Sequence, residues 1–326
     1  MSSEHLITRQ IEEYIAYKQS LGFKISVEAG ELRSFATFTR KIDYNGSLTS
    51  ELAMQWAALS SDYSRFYKAR RLETIHAFAK YISAFDPQAQ IPQLGAFGKC
   101  HGRVSPYIYT DEEISLLIAE ARTLFSPDGI RAYTVSLAIG LLRATGLRVS
   151  ELTLLKNEDV HLDEEYLFIN SSKFKRSRIV PLHPTVAEEL TKYRKFIAEK
   201  LGSRSESDYF FISSYGHKFS TRAFEYAFRL IRQVLHTTAK RKNARKIRLY
   251  DLRHTFACDT VRRWLESGVD VNQKLYLLST YMGHIKPEDT YWYLSATPEL
   301  LAVSCARYEA VFGSEFIPVI CEEAPE

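Results

Sequence analysis

Several charged and imidazole side chains in the second half of the chain stand among apolar residues. Arg148 and Glu151 occur in ATGLRVSELTLL, Arg253 and His254 in LYDLRHTFACDTV, and His284 in YMGHIKPEDTYWYL. Because burying a charge costs a large desolvation free energy, each of these residues needs a structural or a chemical reason. A structural reason for Arg148 and Glu151 is a local ion pair at the start of a helix. A structural reason for Arg253 is that a single buried arginine can hold neighbouring segments together.

One chemistry uses all of these residue types together: phosphoryl transfer through a tyrosine without a metal ion. Two guanidiniums can each donate two hydrogen bonds to a phosphate and stabilise a five-coordinate transition state. A tyrosine hydroxyl, whose unperturbed pKa is about 10, needs a cationic site or a nearby base to act as a nucleophile. A lysine such as Lys173, in NSSKFKRSRIVPL, or an imidazole must protonate the departing oxygen.

Composition excludes several other classes of protein. The 326 residues exceed the usual ~100 to 200 of one domain, and 45% hydrophobic with 25% charged residues is typical of globular proteins, so we expect two domains. No apolar stretch reaches the ~20 residues that span a bilayer, and the N-terminus lacks a signal-peptide pattern, so a cytoplasmic protein without a membrane partner is expected. The cysteines are scattered and no acidic or histidine cluster has ligand spacing, so we expect no metal and no cofactor.

Basic residues are concentrated rather than spread along the chain. The formal net charge of +4 is too small to identify a polyanion-binding protein, but residues 237–253 hold a dense basic run that is either a solvated face or a phosphate-binding surface. A second basic stretch, YSRFYKARR, interleaves aromatic residues and could contact DNA, although core packing explains its aromatics equally well. The candidate DNA-binding residues are Arg65, Lys68, Arg70, Arg71, Lys175, Arg176, Lys240, Arg241, Lys242, Arg245 and Lys246.

Hydrophobic periodicity predicts a mainly α fold with a small β-sheet. Apolar residues at helical spacing predict about four helices within residues 5–85. Further helices are expected at residues 110–124, 132–144, 185–201, 220–236, 250–266, 272–282 and 298–312, and short strands at 166–170 and 178–182. Residues 86–107 carry three prolines and three glycines, which cannot hold a long helix. We therefore predict a helical domain over residues 1–86, a linker over 87–108, an α+β domain over 109–316 and a tail over 317–326.

Taken together, these motifs resemble those of the tyrosine recombinase (phage integrase) family over essentially the whole chain. The family's first arginine motif, TGLRxSEL, stands here as TGLRVSEL and contains Arg148. Its hairpin lysine matches Lys173 ahead of VPL, and its HxLRH motif stands here as YDLRH, which contains Arg253 and His254.

The remaining family motif, LGH, stands here as MGH and contains His284. The family nucleophile usually lies nine residues further on, in a T-x-x-Y pattern, and this pattern matches Tyr293, with Tyr291 as the alternative. The first histidine of HxLRH is replaced by Tyr250, a much poorer proton acceptor that can still donate a hydrogen bond to phosphate. We also expect Glu151 to act behind Arg148 as its orienting partner.

The resemblance implies a site-specific DNA recombinase with a helical core-binding domain and a catalytic domain. The tyrosine would attack a phosphate of double-stranded DNA at a core recombination site and form a 3′-phosphotyrosyl link, without ATP or a metal. A homotetramer would form the synaptic complex, with the helix at 298–312 docked on a neighbouring protomer, and the protein without DNA would be a monomer or weak dimer. Integration, excision or transposition of a mobile element would be its role. A type IB topoisomerase-like enzyme and a non-cleaving DNA-binding regulator remain alternatives.

Overall fold

The computed structural model describes residues 5–99, 106–170, 177–235, 247–284, 286 and 288–291. The chain divides into two compact units, Met1–Val104 and Ser105–Glu326. No helix within these described ranges is both long and apolar enough to cross a membrane.

The first unit is built from four helices. They are α1 (Leu6–Ser20), α2 (Ser26–Lys41), α3 (Ser50–Ala57) and α4 (Arg65–Ile82). Each helix turns one apolar face inward, and the resulting core includes Ile11, Leu32, Phe35, Trp56 and Phe78, all fully buried. The starts of α3 and α4 are capped by hydroxyls that accept a main-chain N–H, which satisfies a donor that the first helical turn leaves open.

The second unit contains a short 3-10 helix, Asn157–Asp159, and eight α-helices whose full bounds the structure describes. The α-helices are α5 (Asp111–Arg122), α6 (Ile130–Thr145), α7 (Val149–Leu152), α8 (Pro184–Leu201), α9 (Thr221–Ile231), α10 (Asp251–Glu266), α11 (Val271–Met282) and α12 (Glu288–Tyr291). The apolar helix α6 is central, because it contacts α5, α8, α9 and α10. A helix that is apolar on most sides is stable only when others cover it, so α6 forms the support around which the unit is arranged.

A three-stranded antiparallel sheet lies between α7 and α8 in the chain. Its strands, in the order β1 (Val160–His161), β2 (Tyr166–Ile169) and β3 (Arg178–Pro181), pair so that Leu167 lies opposite Val180. The predicted fold class, mainly α with a small sheet, is confirmed. The two-residue strand β1 was not predicted, because it is too short to show an alternating pattern.

Residues of the segment expected as a linker, and Tyr109 directly after it, pack on the units themselves. Ala89 and Phe97 pack against the core of the first unit. Tyr109 lies in the core of the second unit, where its hydroxyl donates to the main-chain oxygen of Arg248 at 2.9 Å and its N–H donates to Thr255 Oγ1 at 3.1 Å. The chain entering the second unit is therefore fixed to the segment from Arg248 to Thr255, which includes the start of α10.

Candidate active site

Two helices of the second unit end at glycines in the left-handed conformation. Helix α6 ends at Gly146, with φ +62°, and α11 ends at Gly283, with φ +66°. A Cβ at Gly146 would overlap the ring of Phe256, and one at Gly283 would lie 3.0 Å from Arg178 Nη1. Both positions thus favour glycine for backbone conformation, and Gly146 also requires it for space.

The end of α11 is surrounded by three arginines. Their guanidiniums donate to three successive main-chain carbonyls: Arg178 Nε to Tyr281 at 2.7 Å, Arg253 Nη2 to Met282 at 2.5 Å and Arg148 Nη2 to Gly283 at 2.8 Å. The last carbonyls of a helix lack partners within it and carry partial negative charge, so they attract cations. This helix end therefore gathers three arginines that come from distant parts of the sequence.

Arg253 is the most deeply buried of the three, with 1% of its surface exposed. It lies in the first turn of α10, and its Nη1 also donates to the carbonyl of Gly146 at 2.7 Å. The same guanidinium thus joins the ends of α6 and α11. Sequence analysis predicted Arg148 and Arg253 as a pair, and the structure brings both to one helix end.

The carboxylate of Glu151 lies between two of these arginines. It accepts hydrogen bonds from Arg148 Nη1 at 2.7 Å and from the Arg148 main-chain N–H at 2.9 Å. Arg178 donates to both of its oxygens, with Nη1 at 3.0 Å and Nη2 at 2.8 Å. Burial disfavours the charged carboxylate, but the hydrogen bonds and charges of Arg178 and Arg148 outweigh it and lower the pKa of Glu151 to about 2. Glu151 is therefore ionised at neutral pH.

His284 is held in a defined orientation. Its Nε2 lies 3.1 Å from Arg253 Nη2, and its Nδ1 lies 2.8 Å from the hydroxyl of Thr290. A guanidinium only donates, so Nε2 accepts; this network assigns the proton to Nδ1, which donates to Thr290. Burial and then the charge of Arg253 lower the pKa of His284 to about 3. The imidazole is therefore neutral at neutral pH.

His254 is a second neutral imidazole in the same region. Burial, followed by the positive charges of Arg248 and Arg253, lowers its pKa to about 4. The ring of Tyr250 meets it edge-on, with centroids 5.0 Å apart and an interplanar angle of 76°. Tyr250 directly precedes α10 and is 44% exposed, so it is accessible to a ligand from solvent. Cationic donors beside neutral imidazoles can bind an anion and exchange protons with it.

Several predicted site residues fall outside the part of the chain that the structure describes. They are Lys173, Lys175, Arg176, Lys240, Arg241, Lys242, Arg245, Lys246 and Tyr293, together with the helix expected at residues 298–312. The alternative nucleophile Tyr291 is the last residue of α12.

The basic residues predicted on the first unit differ in accessibility. Arg65 and Arg70 are exposed on α4, and Lys68 is partly buried there. The expectation that Arg71 contacts DNA is wrong, because only 3% of this residue is exposed. Its guanidinium lies 3.7 Å from the ring centroid of Trp56 and 4.8 Å from that of Tyr63, at distances typical of cation–π contacts. Arg71 is part of the packing of this unit.

Two residues of the site, Arg178 and Thr290, are not among those predicted from the sequence. Arg178 was assigned only to a strand, although strand alternation places it on the same side as Val180, which is buried, and opposite to the exposed Ile179. A basic residue on the inward side of a strand is the signal that could have identified it. Thr290 was noted only as the start of the T-x-x-Y pattern. Its deep burial and its contact with His284 required the folded chain.

Among the described residues, no group of three or more His, Cys, Asp or Glu side chains is arranged to hold a metal ion.

Comparison with known sequences gives consistent results over most of the chain. The model of the phage integrase family matches residues 108–299. A Sinorhizobium fredii protein named "Putative integrase/recombinase y4rB" is 35% identical over 303 residues, which cover 92% of this chain and 96% of that protein. Tyrosine recombinase XerD of Staphylococcus saprophyticus is 27% identical over 291 residues, covering 87% and 92% of the two chains.

Solved structures share the fold. The Tn1549 transposon integrase in complex with circular intermediate DNA has a TM-score of 0.64 at 15% identity and covers 93% of this chain and 99% of that one. The XerH site-specific recombinase bound to a palindromic difH substrate has a TM-score of 0.63 at 17% identity, with 87% and 80% covered.

Proposed function

The chain belongs to the phage integrase family, and we propose that it is a tyrosine-type site-specific recombinase that cleaves and rejoins double-stranded DNA. The observation that carries this proposal is the convergence of Arg148, Arg253 and His284 at the end of α11. The two guanidiniums would bind and stabilise a phosphate anion at this helix end, and His284 orients Arg253 by accepting a hydrogen bond from it. The DNA complexes of the Tn1549 integrase and XerH, which share the fold, support DNA as the partner.

In the first chemical step, Tyr293 attacks a backbone phosphorus held by Arg148 and Arg253. The tyrosine oxygen forms a bond to phosphorus while the bond to the 5′ oxygen breaks. The phenol proton passes to the neutral His254, whose pKa rises when the phosphate charge offsets the neighbouring arginines. Lys173 donates a proton to the departing 5′ oxygen. The products are a 3′-phosphotyrosyl bond and a free 5′-hydroxyl.

In the second step, a 5′-hydroxyl of the partner strand attacks the phosphotyrosyl phosphorus. Its proton passes to Lys173, and His254 returns a proton to the departing phenolate, so every group regains its starting state. The ester keeps the energy of the original DNA bond, and the step therefore consumes no ATP. Cationic side chains supply the charge stabilisation, so the proposal includes no cofactor.

The remaining predicted residues receive supporting roles in this proposal. Glu151 orients Arg148, and Tyr250 donates a hydrogen bond to a phosphate oxygen without moving a proton. Residues 1–86 act as a core-binding domain, in which the exposed Arg65 and Arg70, with Lys68, contact the DNA backbone. Residues 87–108 link it to the catalytic domain at 109–316, and a tail at 317–326 follows that domain. Backbone contacts from the catalytic domain come from Lys175, Arg176, Lys240, Arg241, Lys242, Arg245 and Lys246.

Strand exchange needs two duplexes and four active sites, so the proposed active assembly is a homotetramer that forms on DNA from monomers or weak dimers. An apolar groove of about 320 Å³ beside α10 and α11 supports protein contacts here; its lining includes Phe256, Trp264, Leu278 and Tyr281. The expected helix at residues 298–312 of a neighbouring protomer would fill such a groove. The proposed setting is the cytoplasm, and the proposed role is integration, excision or transposition of a mobile element.

Covalent capture on DNA of random sequence tests the proposed function. The protein is incubated with a library of nicked suicide duplexes whose central sequence is random, and DNA that stays attached to protein after denaturation is sequenced. We expect one recurring sequence to be captured by the wild type and none by Tyr293→Phe. Binding of one sequence with no covalent product would indicate a non-cleaving regulator. Relaxation of supercoiled plasmid of any sequence would indicate a topoisomerase-like enzyme.

A further inference from the structure

We infer that Arg178 is a positioning residue that sets the orientation of Arg148, and thereby the catalytic competence of the site, without itself touching the scissile phosphate. This inference rests on the proposed function. It assigns a role to a side chain on β3 that the sequence motifs leave out.

Both contacts that orient the Arg148 guanidinium depend on Arg178. The first is Glu151, whose two carboxylate oxygens also accept hydrogen bonds from Arg178. The second is the carbonyl of Gly283, two residues beyond Tyr281, whose carbonyl Arg178 holds through Nε. Arg178 therefore binds one of these two groups directly, and it also binds the end of the helix that leads to the other.

The geometry separates the roles of the two arginines. All three nitrogens of Arg178 donate to protein oxygens: Nε to the Tyr281 carbonyl, and Nη1 and Nη2 to Glu151. The side chain of Arg178 is 10% exposed, and that of Arg148 is 19% exposed. Arg148 is thus the arginine nearer to solvent, and Arg178 lies behind it.

The chemistry of the position requires a guanidinium. Arginine presents a planar fork that matches a carboxylate with two parallel hydrogen bonds and keeps a further N–H for a third acceptor. A lysine ammonium supplies the same charge from one point, so it cannot hold both Glu151 oxygens and the Tyr281 carbonyl in this arrangement. Without the Arg178 guanidinium, the Glu151 carboxylate is paired with Arg148 alone, and the two side chains can rotate together.

The charges of Arg148, Arg178 and Glu151 also support a positioning role for Arg178. Two guanidiniums lie side by side at Gly283, because a Cβ there would be 3.0 Å from Arg178 Nη1 and 3.5 Å from Arg148 Nη1. Like charges this close repel unless an anion lies between them. The Glu151 carboxylate is that anion, and it holds Arg148 in place only while both of its oxygens are fixed.

A double-mutant cycle on the full-length protein tests the inference. The four proteins are wild type, Arg148→Met, Arg178→Met and the double variant, and the rate of covalent adduct formation is measured at saturating protein on a captured site. We expect Arg178→Met to slow adduct formation by up to about 10²-fold while DNA affinity changes less than threefold. The double variant should be no slower than Arg148→Met, because residues that act as a unit are not additive.

Arg143→Met is the matched control. Arg143 belongs to the same unit and binds the carboxylates of Asp111 and Asp259, but it does not contact Glu151. It should lower the melting temperature as Arg178→Met does and leave the adduct rate within about twofold of wild type. Unchanged cleavage by Arg178→Met, multiplied losses in the double variant, or an equal cleavage loss in the control would each overturn the inference. If Arg178→Met does not fold, Arg178→Lys takes its place in the same cycle.

A second measurement keeps the inference separate from the proposed function. In the protein without DNA, the Arg148 Nε–H signal is followed by NMR and assigned through its loss in Arg148→Met. We expect this signal to be sharp in the wild type and in Arg143→Met, and to be lost or broadened in Arg178→Met. If the wild type forms no adduct with any DNA, the proposed function fails. The inference on Arg178 then stands or falls on whether the Arg148 signal changes.

Discussion

Arg178 and Glu151 are joined by two parallel hydrogen bonds, although 27 residues separate them in the sequence. Together with Arg148 they form a row of two positive groups and one negative group, so the row keeps one net positive charge. Glu151 therefore fixes the arginines without cancelling the attraction of the site for an anion.

The first prediction concerns the two arginines that would bind the scissile phosphate. Arg148→Ala and Arg253→Lys should each slow covalent adduct formation by about 10²- to 10³-fold, because each removes donors to a charged transition state. The dissociation constant for DNA should change much less. Single-turnover assays and gel shifts measure the two quantities. The control is Arg33→Ala, which removes an exposed ion pair with Glu12 in the first unit; equal losses of binding and cleavage would contradict the prediction.

A second prediction identifies the nucleophile. Tyr293→Phe should abolish the covalent adduct, because no phenol remains to attack phosphorus. Tyr291→Phe should keep adduct formation within about threefold of wild type. Digestion of the wild-type adduct and mass spectrometry should place the nucleotide on Tyr293. Attachment to Tyr291 would reverse the assignment.

The third prediction separates proton donation from hydrogen bonding. A substrate with sulfur in place of the 5′-bridging oxygen has a leaving group that needs no proton, so it should restore adduct formation by Lys173→Ala. Tyr250→Phe should lose only about two- to tenfold on the normal substrate, since one neutral hydrogen bond is worth about 0.5 to 1.5 kcal/mol. Sulfur should not restore that loss. Rescue of Tyr250→Phe and not of Lys173→Ala would make the phenol the proton donor.

The fourth prediction is that stability falls as the solution becomes acidic. In the folded chain the pKa of His284 is about 3, under the influence of burial, Arg253, Arg148, Arg178 and His254. An unfolded histidine has a pKa near 6.5, so below that pH the unfolded state binds a proton that the folded state excludes. This contribution to stability is fully present above about pH 7 and is lost as pH falls towards 3.

Urea unfolding between pH 5 and 8 measures this dependence. One such histidine changes the free energy of unfolding by at most about 1.4 kcal/mol per pH unit. His284→Gln should have a shallower slope than the wild type, because His254, with a pKa near 4, then supplies the remaining effect in this region. Parallel slopes for the two proteins would contradict the prediction, because they would show that the pKa of His284 is the same in the folded and unfolded states.

The fifth prediction concerns assembly. A chain that ends at residue 297 should bind one DNA site normally and fail to join two sites, because it lacks the helix expected at 298–312. Sedimentation of the DNA complexes measures assembly, and a two-site plasmid assay measures recombination. Trp264→Ala, which changes the groove beside α10 and α11, should also weaken assembly of the DNA complexes. Normal recombination by the truncated chain would contradict the proposed docking.

Local patterns made much of this fold predictable. Helices such as α6 and α10 have apolar residues at helical spacing, and the glycine that ends α6 was visible in the sequence. Arg148 and Arg253 were also predicted, because each lies in a charged motif within an apolar segment. Their meeting at one helix end could not be derived from the sequence, since it depends on contacts between residues more than 100 positions apart.

Arg178 and Arg71 show where local patterns fail. Both are basic residues with apolar or aromatic neighbours, and both are largely buried. One is paired with a carboxylate and the other lies against aromatic rings. A guanidinium is stabilised by either environment, so the sequence around it does not say whether it contacts protein or ligand. Only the folded chain distinguishes the two cases.

The hydrogen bonds around α11 also bear on when the protein becomes able to cut DNA during folding. The bond from Arg178 to Tyr281 spans 103 residues and that from Arg148 to Gly283 spans 135. Closing such long loops costs entropy that is recovered only when the surrounding core has formed. A nascent or partly unfolded chain therefore holds its arginines apart, and the arginine cluster at the end of α11 forms only when the second unit has folded.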